Sequence, residues 1–295
     1  MGYSPKSRTI LITYWGTDMN KLVSGWLVAL CLFIGAVLPV NAADLILTSP
    51  PRETKEAGEK LFGPLASHLS KLLNINVIYQ HPGNWLNYQR EMRDDKYDIV
   101  FDGPHFISWR MEHLKHDVLV KLPGELEFYL VADKNNNDLT SLEQLVGKKI
   151  CGISPPNLST LTVLDRFRNP VRQPVIKGIK GGMPGVYKAF KDGQCPTAIL
   201  RTTFFKKKLK QEDRDKLKIL FQSAPLPNQA ISVSRRLTAT HKNRMLQSLT
   251  LGDGTKPADA IVKRFGGKKA KSFVPANRDE YKGHNQLLEG VIFGW

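Results

Sequence analysis

The stretch DLILTSPPRETKEAGEKLFGPLASHLSKLLNINVIYQHPGNWLNYQREMRDDKYDIVF, residues 44–101, decides the fold. Leu45-Ile46-Leu47 is a short apolar run of strand type, and Val77-Ile78-Tyr79 and residues 98–101 are two more. Between the first two runs, Leu61, Leu65, Leu69, Leu72 and Leu73 recur every three to four residues, which puts them on one helical face. A second helix is predicted over residues 85–92. Strands alternating with helices in this order form a βαβαβ unit, and each helix returns the chain so that the strands run parallel.

The pattern comes back downstream. Ser141 is placed to cap a short helix, 149–153 reads as a strand, 159–167 as a helix, 174–179 as a strand, 185–190 as a helix and 197–200 as a strand. Two extended segments, 127–132 and 231–234, carry the chain out of the first unit and back. From Leu237 onward the chain reads as helical and is predicted to pack on the first unit. The expected architecture is α/β and two-lobed, each lobe a mostly parallel sheet flanked by helices, joined by a two-segment hinge. Residues 43–130 plus 230–295 form lobe 1 in this reading, and 131–229 form lobe 2.

The amino terminus reads as an export signal. An apolar run between Leu22 and Val40 follows Lys21 and ends in Pro39-Val40-Asn41-Ala42, whose small residues suit cleavage after Ala42 or one residue later. A retained membrane anchor is the competing reading of the same run; Gly25, Gly35 and the cleavage-like end favour removal. Met19-Asn20-Lys21 already begins a complete signal peptide, so translation is expected to be able to start at Met19. The chain carries +16 at pH 7, and loss of Lys6, Arg8, Lys21 and Asp18 leaves it at +14. A basic surface concentrates anions. The lysine runs at 206–210 and 268–271 lack interleaved aromatics, which argues against a nucleic-acid groove.

Catalytic signatures are missing. There is no Gly-x-Ser-x-Gly elbow, no His-Glu-x-x-His zinc helix and no phosphate-cradling Gly-rich loop ending in Lys-Ser or Lys-Thr. His113 and His116 stand three apart on a helix without a third ligand. No enzyme activity, cofactor or metal is expected. Ligand contacts are sought in the loops beyond the strands' carboxyl ends: 50–52, 82–85, 102–105, 154–160, 181–183, and Arg201.

Several motifs taken together resemble the phosphate/phosphite/phosphonate-binding proteins of ABC importers, a branch of the two-lobed periplasmic binding proteins. They are FGPLASHLSKLLNINV (62–77), YDIVFDGPHF (97–106), FYLVADK (128–134), SLEQLVGKKICGISPPNLST (141–160), GVYKAFKDGQCPTAIL (185–200) and SAPLPNQAISVSRRL (223–237). The resemblance implies a periplasmic protein that closes on a small anion and hands it to an ABC permease. The same module also serves as a ligand sensor for a membrane signalling partner, and the residues do not separate the two. A monomer is expected, with no nucleic-acid partner.

In that family a Ser-Thr-Ser loop opening a helix of the second lobe grips the anionic oxygens. The matching place here is Leu158-Ser159-Thr160, preceded by Asn157; the alternative is that Ser159 only caps its helix. Met183 stands where relatives often carry His, and Cys195-Pro196-Thr197 stands where an acidic residue meets a ligand amine, which disfavours an aminophosphonate. Arg52 and Arg201 are candidates to chelate two oxygens of one anion, or else surface ion-pair partners. Trp85 and Tyr129 are candidates to wall the cleft, or else core. His105, after Gly103-Pro104, is a candidate donor to the anion, or else a helix-start residue bonded to backbone. If the strands bearing Cys151 and preceded by Cys195 are neighbours, as the family topology implies, a disulfide braces lobe 2; otherwise both remain free thiols.

Overall fold

A computed structural model describes residues 43–267 and 269–291. The predicted signal segment and its cleavage site at Ala42 lie outside the described residues. The first sheet is built from β1 (Leu45–Thr48), β2 (Val77–Tyr79), β3 (Ile99–Asp102), β4 (Asp117–Lys121), β12 (Ala230–Val233) and β13 (Val274–Pro275). Its spatial order is β13-β4-β12-β3-β1-β2. β2, β1 and β3 pair in parallel, while β12 lies antiparallel between β3 and β4. The second sheet orders β10 (Leu217–Gln222), β6 (Phe128–Asp133), β9 (Thr197–Arg201), β7 (Lys149–Gly152) and β8 (Val175–Gly178). In each sheet four strands point one way, so both are mostly parallel.

The predicted leucine helix is α1 (Lys55–Leu73). Thr54 caps it by accepting from the Ala57 N–H at 3.2 Å, and Asn74 ends it in the left-handed region at φ 55°. Its buried face is Phe62, Leu65, Ala66, Leu69 and Leu73, packed on Leu47, Val77 and Phe101 of the sheet. Leu61 and Leu72 flank that face and are only half-buried. α2 (Trp85–Arg93) and α3 (Pro104–His113) complete the first unit. In the second, α4 (Leu158–Leu164) and α5 (Gly182–Lys191) follow β7 and β8, and α6 (Thr202–Lys208) follows β9.

The chain passes between the sheets twice, at β5 (Glu125–Leu126) and β11 (Leu226–Pro227), which pair antiparallel with Leu226 opposite Leu126. β6 joins the second sheet from its first residue, Phe128 opposite Arg201, so the expected boundary at 130/131 falls inside a strand. The predicted cap at Ser141 is replaced by a different device. The Gln144 side chain reaches back to accept from the N–H groups of Thr140 and Ser141, at 2.6 and 3.0 Å.

After β12, α8 (Ala239–Thr250) and α9 (Thr255–Ile261) pack on the first sheet and α1, as the helical reading of this region predicts. The last helix departs from it. α10 (Gln286–Glu289) inserts Leu287 and Leu288 among residues of α3 and α4, touching both lobes. Between α6 and β10 lies one short turn of helix, α7 (Gln211–Arg214).

Cys151 in β7 and Cys195, just before β9, are joined by a disulfide with Cα atoms 5.6 Å apart. β7 and β9 pair in parallel, Cys151 opposite Ala198, which brings the two cysteines within bridging distance.

Candidate ligand-binding cleft

Loops at the carboxyl ends of strands from both sheets enclose a cavity of about 220 Å³. From the first sheet come Arg52, after β1, and Gly103 and His105, after β3. From the second come Asn157 after β7, Met183 after β8 and Arg201 at the end of β9. Leu126, Phe128, Leu158, Gln229, Arg264 and Phe265 complete the lining. This is the position where doubly wound sheets bind ligands, because helix starts leave N–H groups pointing outward beyond the strand ends.

Arg52 is held by Asp102, whose carboxylate lies 3.7 Å from Nη2 and is wholly buried. Asp102 in turn accepts from Arg110 Nη1 at 2.8 Å, from the Gly103 N–H at 2.8 Å and, in a short contact, from the Tyr88 hydroxyl. Arg110 also donates to Tyr88 Oη at 2.6 Å. Burial opposes the Arg110 charge, but Tyr88 and Asp102 outweigh it and raise its pKa. Burial pushes the Tyr88 hydroxyl well above the ordinary tyrosine range. The Asp102 carboxylate is thus fully engaged and offers no free negative charge to the cleft.

Arg201 stands at the opposite wall. Its Nε is buried with no partner, and burial alone lowers its pKa. Its backbone N–H donates to Met183 Sδ at 3.3 Å. Arg264 pairs with Glu53 at 2.8 Å and lies over the Phe265 ring. Three guanidiniums therefore border the cavity. His105 is 1% exposed, and its Nε2 lies 3.1 Å from the Pro156 carbonyl of the opposite lobe. Burial, then the Arg52 charge, pushes its pKa down to about 3.

The structure brings Arg52, His105, Asn157 and Arg201 together and keeps four other candidates away from the lining. Tyr129 follows Phe128 on a strand and so faces the other side of the sheet, where it meets Phe205 edge-on at 5.3 Å. Trp85 stacks on Phe106 at 6.1 Å and packs against the core. Ser159 donates its hydroxyl to Asn157 Oδ1 at 2.7 Å, and Thr160 donates to the Ile153 carbonyl at 2.5 Å. Both are fully buried and turned from the cavity. Asn157 Oδ1 also accepts the Ser159 N–H, so this seven-residue helix spends its cap internally. Arg264, Phe265 and Gln229 also line the cavity, and no motif or periodicity points to them. Arg264 and Phe265 sit on a single wide helical turn, 262–266, and nothing local marks them as cleft residues.

Two larger hollows, about 510 and 530 Å³, lie around Tyr187 and Lys191 on the second lobe, and no residue of the first sheet lines either. Their central charges already pair, Lys191 with Asp213 at 3.3 Å, so the smaller cavity is the better candidate. Among the described residues no group of three or more His, Cys, Asp or Glu side chains could hold a metal ion. Among the same residues no helix is long and apolar enough to cross a membrane.

Residues 47–281 match the sequence family described as ABC transporter, phosphonate, periplasmic substrate-binding protein. The chain belongs to this family. Its members are the periplasmic substrate-binding components of transporters, which is the fold and the role that the motifs at 62–77 and 97–106 imply. No curated protein matches the chain in sequence. Among solved structures, XAC2383 from Xanthomonas citri bound to ATP is 14% identical with a TM-score of 0.64, over 85% of this chain and 97% of that one. PhnD1 from Prochlorococcus marinus in complex with methylphosphonate is 16% identical with a TM-score of 0.58, over 83% and 96%. A binding-protein component of an ABC phosphonate transporter from Pseudomonas aeruginosa is 15% identical with a TM-score of 0.55, over 83% and 85%. At these identities the likeness is one of fold. The two-lobed α/β arrangement is shared.

Proposed function

We propose that the cavity between the lobes captures a small oxyanion of the phosphonate, phosphate or phosphite class, and that the closed, loaded protein delivers it to an ABC permease. The observation that carries this reading is the meeting of Arg52, Arg201 and Arg264 around one cavity whose nearest carboxylates, Asp102 and Glu53, are already engaged. Guanidiniums match the oxygens of tetrahedral anions, and burial strengthens the attraction. At about 220 Å³ the cavity is below the range usual for drug-sized ligands, which favours a small anion over a nucleotide. The neighbour crystallised with methylphosphonate supports the same ligand class.

Closure follows from the placement of the groups. Arg52 and His105 come from one lobe and Asn157 and Arg201 from the other, so a ligand touching both favours the state in which they meet. The paired crossings at β5 and β11 are the hinge in this reading, with lobe 1 and lobe 2 on either side. Export by the amino-terminal segment brings the protein to the compartment where the permease waits. Residues 43–295 form a compact unit and are the form to test. Thermal-shift screening against phosphate, phosphite, sulfate, methylphosphonate and small carboxylates is expected to show stabilisation by at least one phosphorus oxyanion. Stabilisation by carboxylates alone would reject the assignment.

A further inference from the structure

The lysine run at 206–210, which the cleft does not use, borders a hollow of about 530 Å³ between α5 and α6. This hollow shares no lining residue with the cleft. α5 and its cap contribute Pro184, Tyr187, Lys188, Lys191 and Asp192. Steps of three and four put these on one face of the helix, so the hollow is a groove running along it. At 1.5 Å per residue the stripe is about 12 Å long, room for about four extended residues or two turns of helix. The facing wall is Phe204 and Lys208 of α6, with Leu209 and Lys210 just beyond it. The hollow of about 510 Å³ continues the groove past the end of α5, since Tyr187, Lys191 and Asp213 line both.

The apolar members of the groove are recessed and its lysines stand out. Tyr187 and Phe204 are half-buried and Leu209 is 7% exposed, whereas Lys188, Lys191, Lys208 and Lys210 are all exposed. The Tyr187 and Phe204 rings meet edge-on, centroids 6.4 Å apart, and link the two walls. Two of the lysines already have partners: Lys188 pairs with Asp192 at 2.6 Å and Lys191 with Asp213 at 3.3 Å. Lys208 and Lys210 pair with no carboxylate among the described residues, and neither does Lys216 in the adjoining hollow. The groove therefore lacks negative charge and offers apolar contact beside it. A flat bilayer does not fill a groove, and the most exposed apolar side chains, Leu86, Val171 and Leu251, line neither hollow. A second copy of so basic a chain is repelled by like charge.

We infer that the groove along α5 docks an acidic segment of a partner protein, its apolar side chains seated against Tyr187, Phe204 and Leu209 and its carboxylates on Lys208 and Lys210. Both walls start at the cleft. Pro184 follows Met183 and α6 follows Arg201, and Met183 and Arg201 line the cavity between the lobes. A partner seated here lies beside the cleft without entering it. The lysines steer the approach and the apolar contacts hold the complex, the usual division between charge and burial at an interface. This inference goes beyond oxyanion capture and stands or falls separately from it.

Fluorescence anisotropy of residues 43–295 with a labelled peptide of about eight residues alternating Glu and Leu, long enough to overrun the groove, tests the inference. Peptides alternating Glu with Ser and Lys with Leu are the controls. The Glu/Leu peptide is expected to bind at least about tenfold more tightly than either, and to weaken several-fold as salt rises from about 50 to about 500 mM. Lys208→Glu combined with Lys210→Glu is expected to cost about tenfold or more in its affinity. The melting temperature of that variant, and its shift with methylphosphonate, are expected to match the parent's. Equal binding of the Glu/Ser and Glu/Leu peptides, or a Glu/Leu affinity that the double charge reversal leaves unmoved, overturns the inference. So does flotation with phosphatidylglycerol vesicles, or dimerisation by light scattering, that is lost in the same variant, since the surface then belongs to a membrane or to a second copy. None of these results touches the oxyanion reading. Absence of any oxyanion-induced shift with peptide binding intact rejects that reading and leaves the groove standing.

Discussion

Arg110 Nη1 donates to Asp102 Oδ2 at 2.8 Å, with both side chains at most 1% exposed, directly beneath the guanidinium of Arg52. Breaking a buried pair from one side leaves the other charge stranded, and typically costs about 3–5 kcal/mol. Asp102→Ala is therefore expected to lower unfolding stability by that order, measured by urea denaturation. Replacing both partners with apolar residues is expected to cost less than Asp102→Ala alone. Equal stability of Asp102→Ala and the parent protein would mean that the pair does not organise the cleft.

Arg52→Ala and Arg201→Ala are each expected to weaken oxyanion binding by roughly 10- to 100-fold, the scale of a charged hydrogen bond. The two differ in the free protein. Arg201 has a buried, unpartnered Nε, so Arg201→Met is expected to leave the unliganded melting temperature unchanged or raise it. Titration calorimetry beside differential scanning fluorimetry separates the effects, and unchanged affinity in both alanine variants would exclude these guanidiniums from the site.

The inward turn of the Ser159 and Thr160 hydroxyls sets an opposite pattern. Thr160→Val removes the bond to the Ile153 carbonyl in a fully buried place and is expected to cost about 1–3 kcal/mol. Ligand affinity is expected to change by less than about threefold. A large loss of affinity with stability intact would place these hydroxyls on the ligand after all.

The Cys151–Cys195 bridge closes a separation of 44 residues, for which the chain-entropy relation gives about 4 kcal/mol. Cys151→Ala combined with Cys195→Ala, or reduction under denaturing conditions, is expected to lower stability by about 2–4 kcal/mol. Equal denaturation midpoints with and without reductant would show that the bridge adds nothing.

Two buried histidines tie stability to pH. Burial, then Arg52, lowers His105 to about 3; burial, then Arg110, lowers His116 to about 4, against the hydrogen bond to Asp95. Both values lie below the unfolded one near 6.5, so the unfolded chain binds more protons across that window. Their stability contribution is complete above pH 6.5 and disappears as pH falls toward 3–4. Urea midpoints at pH 7, 5.5 and 4 are expected to decline in that order, and His116→Gln is expected to flatten the decline. Identical midpoints at all three would contradict the burial of these rings.

Much of this architecture is legible in the sequence, because periodicity reports which side of an element is apolar. Leu65, Leu69 and Leu73 place α1, and the runs at 45–47, 77–79 and 98–101 place the first sheet. Finer orientation is less legible. Leu61 and Leu72 fit the same spacing yet lie at the edge of the stripe, where Phe62 and Ala66 fill the centre. Position after a strand was enough to find Arg52, His105, Asn157 and Arg201. Tyr129, expected as an aromatic wall, faces away because a shift of one residue exchanges the two faces of a strand, and Phe128 takes the cleft side. Position failed for Ser159 and Thr160 because a hydroxyl at a helix start can turn either way, and Asn157 and Ile153 offered nearer acceptors. Arg264 was invisible because only long-range folding brings it beside Glu53.

One apolar cluster draws Val100, Phe106 and Trp109 from one side of the molecule and Leu130, Ile150, Leu161 and Ile199 from the other, and Leu288 near the chain's end joins it. Each half also holds an apolar cluster of its own, but this shared one ties the two together, so heat should dismantle them in a single calorimetric endotherm. A fragment carrying only the segment between the two crossings would expose oily surface and aggregate. Whatever swing admits the ligand must then pivot about this shared seam without parting it.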